Sequence, residues 1–239
     1  MIVNERQRDL GNFLVGRLLP FRQKRQVGPF TFIDHMGPSE IKSGNYVDVD
    51  QHPHIGLSTL TYLFEGAIEH KDSIGSHQII SSGDVGFMTA GKAVTHTERT
   101  PKHQRDGKTH TIHGYQIWVA LPKGKENMGA EFEYYASAEL PQWDENGCSI
   151  KLVAGTGFGE KSPLQGLSPL FMVDITANRK TTLDLRDQLK GEVAFVIVKG
   201  SINSEGEHLD QGQMLISKTD EECSVDLAAG TRLLLFGGE

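Results

Sequence analysis

Apolar positions along this chain recur with a period near two rather than with the 3.6-residue period of an amphipathic helix. Residues 57–64 form the clearest run, rich in β-branched, aromatic and aliphatic side chains, which predicts a strand. Residues 73–76 predict a hairpin turn between strands at 67–71 and 77–80. Further strands are predicted at 85–88, 93–99, 114–121, 149–154, 170–175, 181–185, 194–199, 213–216 and 232–236. Short strands joined by tight turns are typical of an all-β sandwich or barrel.

The strand pattern occurs in two halves. Helical signals are few, and segments 126–136 and 183–189 each predict a short helical turn. A polar stretch begins near residue 122, so we expect one β-barrel at 1–122 and a linker with a second barrel at 123–239. Both halves contain a strand, a glycine, a hairpin, a second glycine and another strand, which favours a duplicated small barrel. The alternative is that any two β-meanders share this outline.

Composition and charge narrow the function. The 239 residues are 37% hydrophobic and 23% charged, as in a globular protein. The formal net charge of −7 argues against a nucleic-acid partner or an anionic membrane surface. No apolar run approaches the ~20 residues of a membrane span, and the charged N-terminus lacks a signal peptide, so we expect a cytoplasmic protein. Cys148 and Cys223 cannot supply a disulfide framework or, alone, a thiolate zinc site.

The histidines suggest a metal site, since nine of the 10 lie within residues 35–113. His52 and His54 flank a proline, and in an extended segment both imidazoles point to the same face. His96 and Glu98 have the same spacing. If the two strands face each other across a barrel, three nitrogens and one oxygen meet, which suits a divalent transition metal. Iron, nickel, copper, manganese and zinc all remain open on this basis.

A lone His-x-His pair more often consists of surface or hydrogen-bonded core histidines, and the second motif is what favours a metal. Four other histidines lie in polar or turn-like sequence and are predicted to be exposed: His70, His77, His103 and His110. His113, beside Gly114, is either a neighbour of the site or without a role. The Gly-x-Gly-x-Gly run at 155–159 lacks the strand-to-helix context of a phosphate-binding loop, so we interpret it as an ordinary loop.

Several stretches of the first half carry a resemblance to a known family: 27–38, 53–66, 72–73, 83–85, 88–91, 95–98 and 116–119. In these stretches the chain resembles the pirin family of the cupin superfamily, strongly from residue 27 to 122 and diffusely afterwards. The resemblance implies a bicupin: two packed antiparallel β-barrels of jelly-roll type with few short helices. It also implies one iron-like metal in the N-terminal barrel, held by His52, His54, His96 and Glu98.

One position near the motifs distinguishes pirins from most cupins, and several others differ from the residues usual in pirins. Glu98 after His96 is the pirin arrangement, whereas most cupins carry the carboxylate a few residues after His-x-His. Ile55 stands where an arginine usually follows His-Pro-His in pirins. Residues 86–87 (Gly-Phe) replace the usual Gln-Trp, and Lys92 stands where glycine or arginine is common. We expect these differences to change the pocket size or a partner surface.

The resemblance implies an enzymatic function, because bacterial pirin-like proteins are associated with flavonol 2,3-dioxygenase (quercetinase) activity. Open metal positions for substrate and O2 favour Fe(II), with zinc, nickel, copper, manganese and cobalt as alternatives. The 3-hydroxyl of a flavonol such as quercetin would lose its proton, with Glu98 as ligand and base, before the ring opens and carbon monoxide leaves. Phe32, Phe87 and Trp118 are apolar candidates for the cavity, and each is equally a candidate for the core.

The alternative function is a regulatory binding module. Other pirins resemble metal-containing partners of transcription factors or metabolic enzymes, with the redox state of the metal as a switch. Ile55 and Lys92 would then contact a protein partner at the rim of the site. A closed, substrate-sized cavity at the metal favours the enzyme, and a narrow cavity beside a flat patch favours the module. We also predict that the second half, where His208 is the only histidine, binds no metal.

Overall fold

The computed structural model describes residues 1–9, 14–204, 206–218 and 224–239, and Cys223 lies outside these ranges. In chain order, the strands up to residue 137 are β1 (Ile2–Asn4), β2 (Arg6–Asp9), β3 (Leu14–Leu19), β4 (Phe30–Ile41), β5 (Asp48–His54), β6 (Leu57–Glu65), β7 (Ala67–Asp72), β8 (His77–Ser81), β9 (Val85–Thr89), β10 (Val94–Arg99), β11 (His110–Ala120) and β12 (Glu131–Tyr135).

The remaining strands are β13 (Gln142–Glu145), β14 (Cys148–Gly157), β15 (Glu160–Lys161), β16 (Leu170–Ala177), β17 (Thr181–Asp184), β18 (Glu192–Lys199), β19 (Ser201–Ser204), β20 (Glu207–Asp210), β21 (Gln213–Lys218), β22 (Ser224–Leu227) and β23 (Arg232–Gly238). Contacts divide the chain into two compact units. The first unit contains Arg6–Pro20 and Thr31–Ser137. The second unit contains Met1–Glu5, Phe21–Phe30 and Ala138–Glu239.

The first unit consists of two antiparallel sheets. The larger sheet has seven strands in the order β12-β9-β6-β11-β4-β3-β2, and the smaller has four in the order β5-β10-β7-β8. Buried apolar side chains from both sheets form one core cluster, which includes Val15, Met36 and Leu63 from the larger sheet and Ile68 from the smaller. The faces that carry these side chains therefore enclose the apolar interior of this unit.

The second unit also pairs a large sheet with a small one. Its large sheet has the order β1-β21-β18-β23-β16-β14-β13, with β15 paired to β14, and its small sheet has the order β17-β22-β19-β20. The N-terminal strand β1 belongs here, because Ile2 pairs with Leu215 on β21. A cluster of buried residues, among them Phe171, Phe195 and Val225, joins side chains of both sheets.

The all-β, antiparallel prediction is confirmed, and the predicted hairpin at 67–71 and 77–80 is the β7–β8 pair. The predicted helical turns are wrong. Residues 131–135 form β12, which pairs with β9, and 183–184 belong to β17, followed by a non-helical turn. In the described ranges the helices are two short 3-10 turns, Lys102–Gln104 and Ser137–Glu139. Neither of these, the only helices among the described residues, is long and apolar enough to cross a membrane.

Candidate metal centre

Two neighbouring strands of the four-stranded sheet in the first unit carry the candidate histidine ligands. β5 is the edge strand of this sheet, and β10 lies between β5 and β7. Antiparallel pairing places His52 directly opposite His96, and His54 opposite Val94. Pro53 is compatible with an edge strand, because one row of backbone groups there needs no partner in the sheet. The strands lie side by side instead of facing each other across a barrel, and the imidazoles converge as cross-strand neighbours.

A β-bulge in β5 decides which residues face inward. The partners of His96 and Glu98 on β5 are His52 and Val49, so β5 contains one more residue than β10 between these pairs. Strict alternation from His52 would turn Asp50 inward. The bulge instead lets Val49 line the cavity and leaves Asp50 exposed. The carbonyl oxygen of Asp50 lies 2.9 Å from His52 Nδ1, which fixes the orientation of that ring.

The three imidazoles meet through their Nε2 atoms. Nε2 of His96 lies 3.0 Å from Nε2 of His52 and 3.1 Å from Nε2 of His54. Burial and the nearby charge of His52 lower the pKa of His54 to about 4. Burial is again the largest cause at His96, where it acts with the nearby charges of His52, His70 and His54 to lower the pKa to about 2. Both imidazoles are therefore neutral at pH 7, the form that binds metals.

This donor set fits a divalent transition metal. The ligand atoms of His52, His54 and His96 all lie within 4.8 Å of one another. Three imidazole nitrogens at one point cannot all be satisfied by one another, because His96 Nε2 carries at most one proton to share with its two neighbours. A cation bound between them would accept all three lone pairs at once, and imidazole suits zinc, copper, iron and nickel.

Glu98 lies outside this group of three, although it borders the same cavity as His52. The Oε1 atom of Glu98 accepts a hydrogen bond from Thr61 Oγ1 at 3.3 Å. Burial is the largest influence on the carboxyl and raises its pKa, against the opposing effects of His52 and of hydrogen bonds from Thr61 and Gln116. The structure thus provides a buried carboxyl beside the imidazoles, and its role as a fourth ligand stays a prediction.

A cavity of about 370 Å³ borders His52, His54 and Glu98. This volume lies within the ~300–1,000 Å³ usual for small-molecule sites. Phe32 and Trp118 line it, and their rings stack with centroids 4.1 Å apart at an interplanar angle of 16°. The remaining walls are mainly aliphatic: Val15, Met36, Val47, Val49 and Ile68. Phe87, the third aromatic candidate, is buried but does not line this cavity.

An ion pair that the sequence does not single out contributes to the polar lining of the cavity, beside Glu98 and Gln116. Arg17 and Asp34 are cross-strand partners on β3 and β4, joined by two hydrogen bonds of 2.7 and 2.8 Å. The guanidinium also lies 4.3 Å from the centroid of the Phe32 ring. The hydrogen bonding of the Arg17 guanidinium to the Asp34 carboxylate is the largest cause of a raised pKa at Arg17. The signal in the sequence is the period of two that places these residues on the same face as Val15 and Phe32.

The prediction that His70 is exposed is wrong. His70 retains only 2% of its surface, because its strand, β7, lies next to β10 inside the sheet. Its Nδ1 lies 3.3 Å from Nδ1 of His96, and its Nε2 lies 3.2 Å from Asp72 Oδ2. The ring stacks on Phe132 at a centroid distance of 4.3 Å. The strand pairing of Glu98 with His70 brings this residue to the site, and a single sequence does not show that pairing.

The other histidines lie away from the three imidazoles. His77 and His103 are exposed, as predicted, whereas His110 is half-buried with its Nε2 2.9 Å from Asp106 Oδ1. His113 is also half-buried, and its Nε2 lies 2.9 Å from Nε2 of His35. In the second unit, His208 is exposed and its Nδ1 lies 2.8 Å from Asn203 Oδ1. Among the described residues, the only group of three potential metal ligands found is His52, His54 and His96.

Known proteins match this chain in sequence and in fold. Residues 12–119 match the family described as Pirin. A pirin-like protein from Caulobacter vibrioides is 41% identical over 242 residues, which cover 100% of this chain and 83% of that protein. The crystal structure of a quercetin 2,3-dioxygenase from Acinetobacter baumannii has a TM-score of 0.90 and 34% identity, and the match covers 100% of this chain and 78% of that one.

A bacterial pirin from Escherichia coli, YhhW, solved in complex with nickel(II), has the same fold. Its TM-score is 0.77 at 19% identity, over 99% of this chain and 97% of that one. The 41% identity to a pirin-like protein extends over the whole of this chain. The family match covers the strands that hold the three imidazoles, and it leads to the same assignment. The chain belongs to the pirin family.

Proposed function

We propose that this pirin is a metal-dependent dioxygenase that opens the ring of a flavonol such as quercetin with O2, releasing carbon monoxide. The observation that carries the proposal is a cavity of about 370 Å³ with His52 and His54 on its wall. A cavity of this size can hold a small-molecule substrate, which supports an enzyme over a binding module. The resemblance to the A. baumannii quercetin 2,3-dioxygenase supports the same reaction class.

His52, His54 and His96 would hold the metal, with Glu98 as the fourth ligand and Fe(II) as the first candidate. When bound, the metal supplies the redox chemistry that combines an aromatic substrate with O2. The chain supplies neutral imidazoles for this purpose, because burial keeps protons off His54 and His96 at pH 7. The aliphatic and aromatic walls of the cavity would limit the contact of water with the reacting ring.

Glu98 is the residue that would take a proton from the substrate. It is the carboxyl that borders the cavity on the same side as His52, and its burial leaves it poorly solvated. Thr61 holds its Oε1 in place by a hydrogen bond of 3.3 Å. In this role Glu98 accepts the proton of the flavonol 3-hydroxyl at a carboxylate oxygen, which is general base catalysis.

The stacked pair of Phe32 and Trp118 would orient the flat substrate. A planar flavonol gains most contact by lying against aromatic rings, and such pairs contribute about 0.5–1.5 kcal/mol beyond the area they bury. Arg17 and Asp34, on the same cavity wall, offer a guanidinium and a carboxylate to the substrate's hydroxyl and carbonyl groups. The apolar walls and this single ion pair favour a neutral, planar, hydroxylated ligand over a charged one.

A second candidate function is a metal-containing protein-binding module. The observation that favours it is the exposure of Ile55, which directly follows His54 in the chain and retains 67% of its surface. An exposed apolar residue at this position is a suitable contact for a protein partner, and the nearby Lys92 is also exposed. The two candidates differ in whether the cavity or the rim carries the function.

The test begins with metal analysis of the untreated purified protein. The protein is then stripped, loaded separately with Fe(II), Ni(II), Mn(II), Co(II), Cu(II) and Zn(II), and assayed in air with a panel of flavonols. We expect flavonol consumption with one equivalent of carbon monoxide per turnover, at its fastest with a redox-active metal. Absence of turnover in every fully loaded form would reject the enzyme and favour the binding module.

A further inference from the structure

We infer that His70 is a positioning residue for the candidate metal centre: anchored by Asp72, it accepts the Nδ1 proton of His96 and so presents the Nε2 lone pair of His96 to the metal. The inference rests on the proposed metal site and deepens it. It assigns a role to a buried histidine and a buried aspartate that lie outside the set of predicted ligands.

The contacts form a continuous chain behind His96. His96 Nδ1 lies 3.3 Å from His70 Nδ1, and His70 Nε2 lies 3.2 Å from Asp72 Oδ2. The other carboxylate oxygen, Asp72 Oδ1, accepts the backbone N–H groups of Ile74 at 3.1 Å and of Ser76 at 2.8 Å. The side chain of Asp72 is fully buried, so the turn after β7 holds the end of the chain in place.

These contacts allow only one direction of proton donation when His70 is neutral, the form that burial favours. Asp72 already accepts two backbone N–H groups at Oδ1, as an ionised carboxylate does, and its Oδ2 is therefore an acceptor for His70 Nε2 at 3.2 Å. His70 Nε2 must then carry a proton, which leaves His70 Nδ1 as an acceptor. His96 Nδ1 donates to it, and His96 Nε2 keeps its lone pair on the side of His52 and His54.

Packing holds the rings in this arrangement. The ring of His70 stacks on Phe132 with an interplanar angle of 13°, and Phe132 packs against the cluster of Met88, Ala90 and Val94. Strand pairing places His70 on β7 beside β10, where its partner is Glu98. With 2% of its surface exposed, His70 has no solvent to replace a lost partner. A ligand held by such a chain keeps both its tautomer and its ring orientation.

The test uses three substitutions that separate the direction of hydrogen-bond donation from the shape of the side chain. His70→Phe keeps a flat ring on Phe132 and removes the acceptor. His70→Gln keeps an acceptor towards His96 and a donor towards Asp72. Asp72→Asn keeps Oδ1 for the turn but places an amide N–H donor against His70 Nε2, which reverses the native direction of hydrogen-bond donation. The matched control is His77→Phe, which removes an exposed histidine on β8 that contacts Glu69 at 2.7 Å.

Two measurements apply to every variant. One is the dissociation constant of Zn(II) and of Ni(II), from competition with a chelator. The other is the tautomer of His96 in the metal-free protein, from the ¹⁵N chemical shifts of its imidazole. We expect His70→Phe and Asp72→Asn to weaken metal binding by ~10–100-fold and to lose the Nδ1–H tautomer. We expect His70→Gln to stay within a few-fold of the native protein and His77→Phe to be unchanged.

The outcomes separate this inference from the proposed function. Native affinity in a folded His70→Phe protein, or a His96 proton on Nε2 in the native metal-free protein, overturns the positioning role and leaves the metal site standing. A native protein that binds neither metal overturns both. If His70→Phe does not fold, by circular dichroism, the contrast between His70→Gln and Asp72→Asn decides. Metal binding and turnover are measured separately, so loss of flavonol activity alone does not count for or against His70.

Discussion

His52 and His96 occupy directly paired positions on β5 and β10, and their Nε2 atoms lie 3.0 Å apart. Side chains at paired positions of an antiparallel ladder lie on the same face, so the metal centre is built on a single sheet. His54 joins them because it follows His52 by two residues on the same strand. The centre therefore depends on the register of one pair of strands, and a slip of one residue would turn His52 away.

Metal binding is expected to depend on the two paired histidines. His52→Ala/His96→Ala should lose the bound metal while keeping the β-sheet signal in circular dichroism, because the apolar core forms without these side chains. Metal analysis of the native protein should give one metal per chain, since His52, His54 and His96 are the only group of three potential ligands found among the described residues. Full occupancy in the double variant, or two tightly held metals of which one survives it, would contradict the site.

Glu98→Gln is expected to separate ligation from proton transfer. The amide keeps the shape and an oxygen donor but cannot act as a base. Metal affinity should fall moderately, because three imidazoles remain, whereas turnover per bound metal should fall by ~10²–10⁴-fold. The measurement is flavonol turnover divided by metal content in the same sample. Equal turnover per metal in Glu98→Gln would leave Glu98 as a plain ligand that balances charge.

Arg17→Met is expected to destabilise the protein through its partner. The substitution leaves the Asp34 carboxylate, which retains only 3% of its surface, without its bidentate cation. Removing one member of a buried pair typically costs about 3–5 kcal/mol, and the partial exposure of Arg17 places the cost here at roughly 2–3 kcal/mol. Urea unfolding should show this loss. The double variant Arg17→Met/Asp34→Leu should recover much of it, and a double variant as unstable as Arg17→Met would rule out the unpaired charge as the cause.

Acid is expected to destabilise the metal-free protein through His54. The folded pKa of His54 is about 4, below its ordinary value of 6.5, because burial opposes the charged form. Between these values the unfolded chain binds a proton that the native protein does not, so the stability present above pH 6.5 is lost as the pH falls towards 4.

The measurement is urea unfolding of chelator-treated protein between pH 7 and pH 4. After allowance for solvent screening, His54 should account for roughly 2 kcal/mol of the decline. His54→Gln should lose stability less steeply over the same range, with His77→Phe, an exposed histidine, as the control. Parallel curves for the native protein and His54→Gln would show that His54 does not titrate in this way.

The sequence alone predicted most strands, because alternation of apolar and polar residues is a local property of a half-buried sheet. It also singled out His52, His54, His96 and Glu98, since spacing by two residues already places side chains on one face. It failed at 131–135, where pairing of β12 with β9 outweighs a weak local helical signal. Strand structure there depends on a distant partner, which local propensity does not register.

Only the tertiary structure decided what surrounds the imidazoles. The sequence left the relative position of β5 and β10 open, with strands facing each other across a barrel as the condition for a shared site. The fold makes them neighbours, with a bulge that leaves Asp50 outside. His70 was predicted to be exposed because its sequence neighbours are polar, yet β7 lies inside the sheet and buries it. The Arg17–Asp34 pair likewise depends on the register between β3 and β4. Spacing along one strand is set by the backbone, whereas contacts between strands depend on register and strand order, which the whole fold determines.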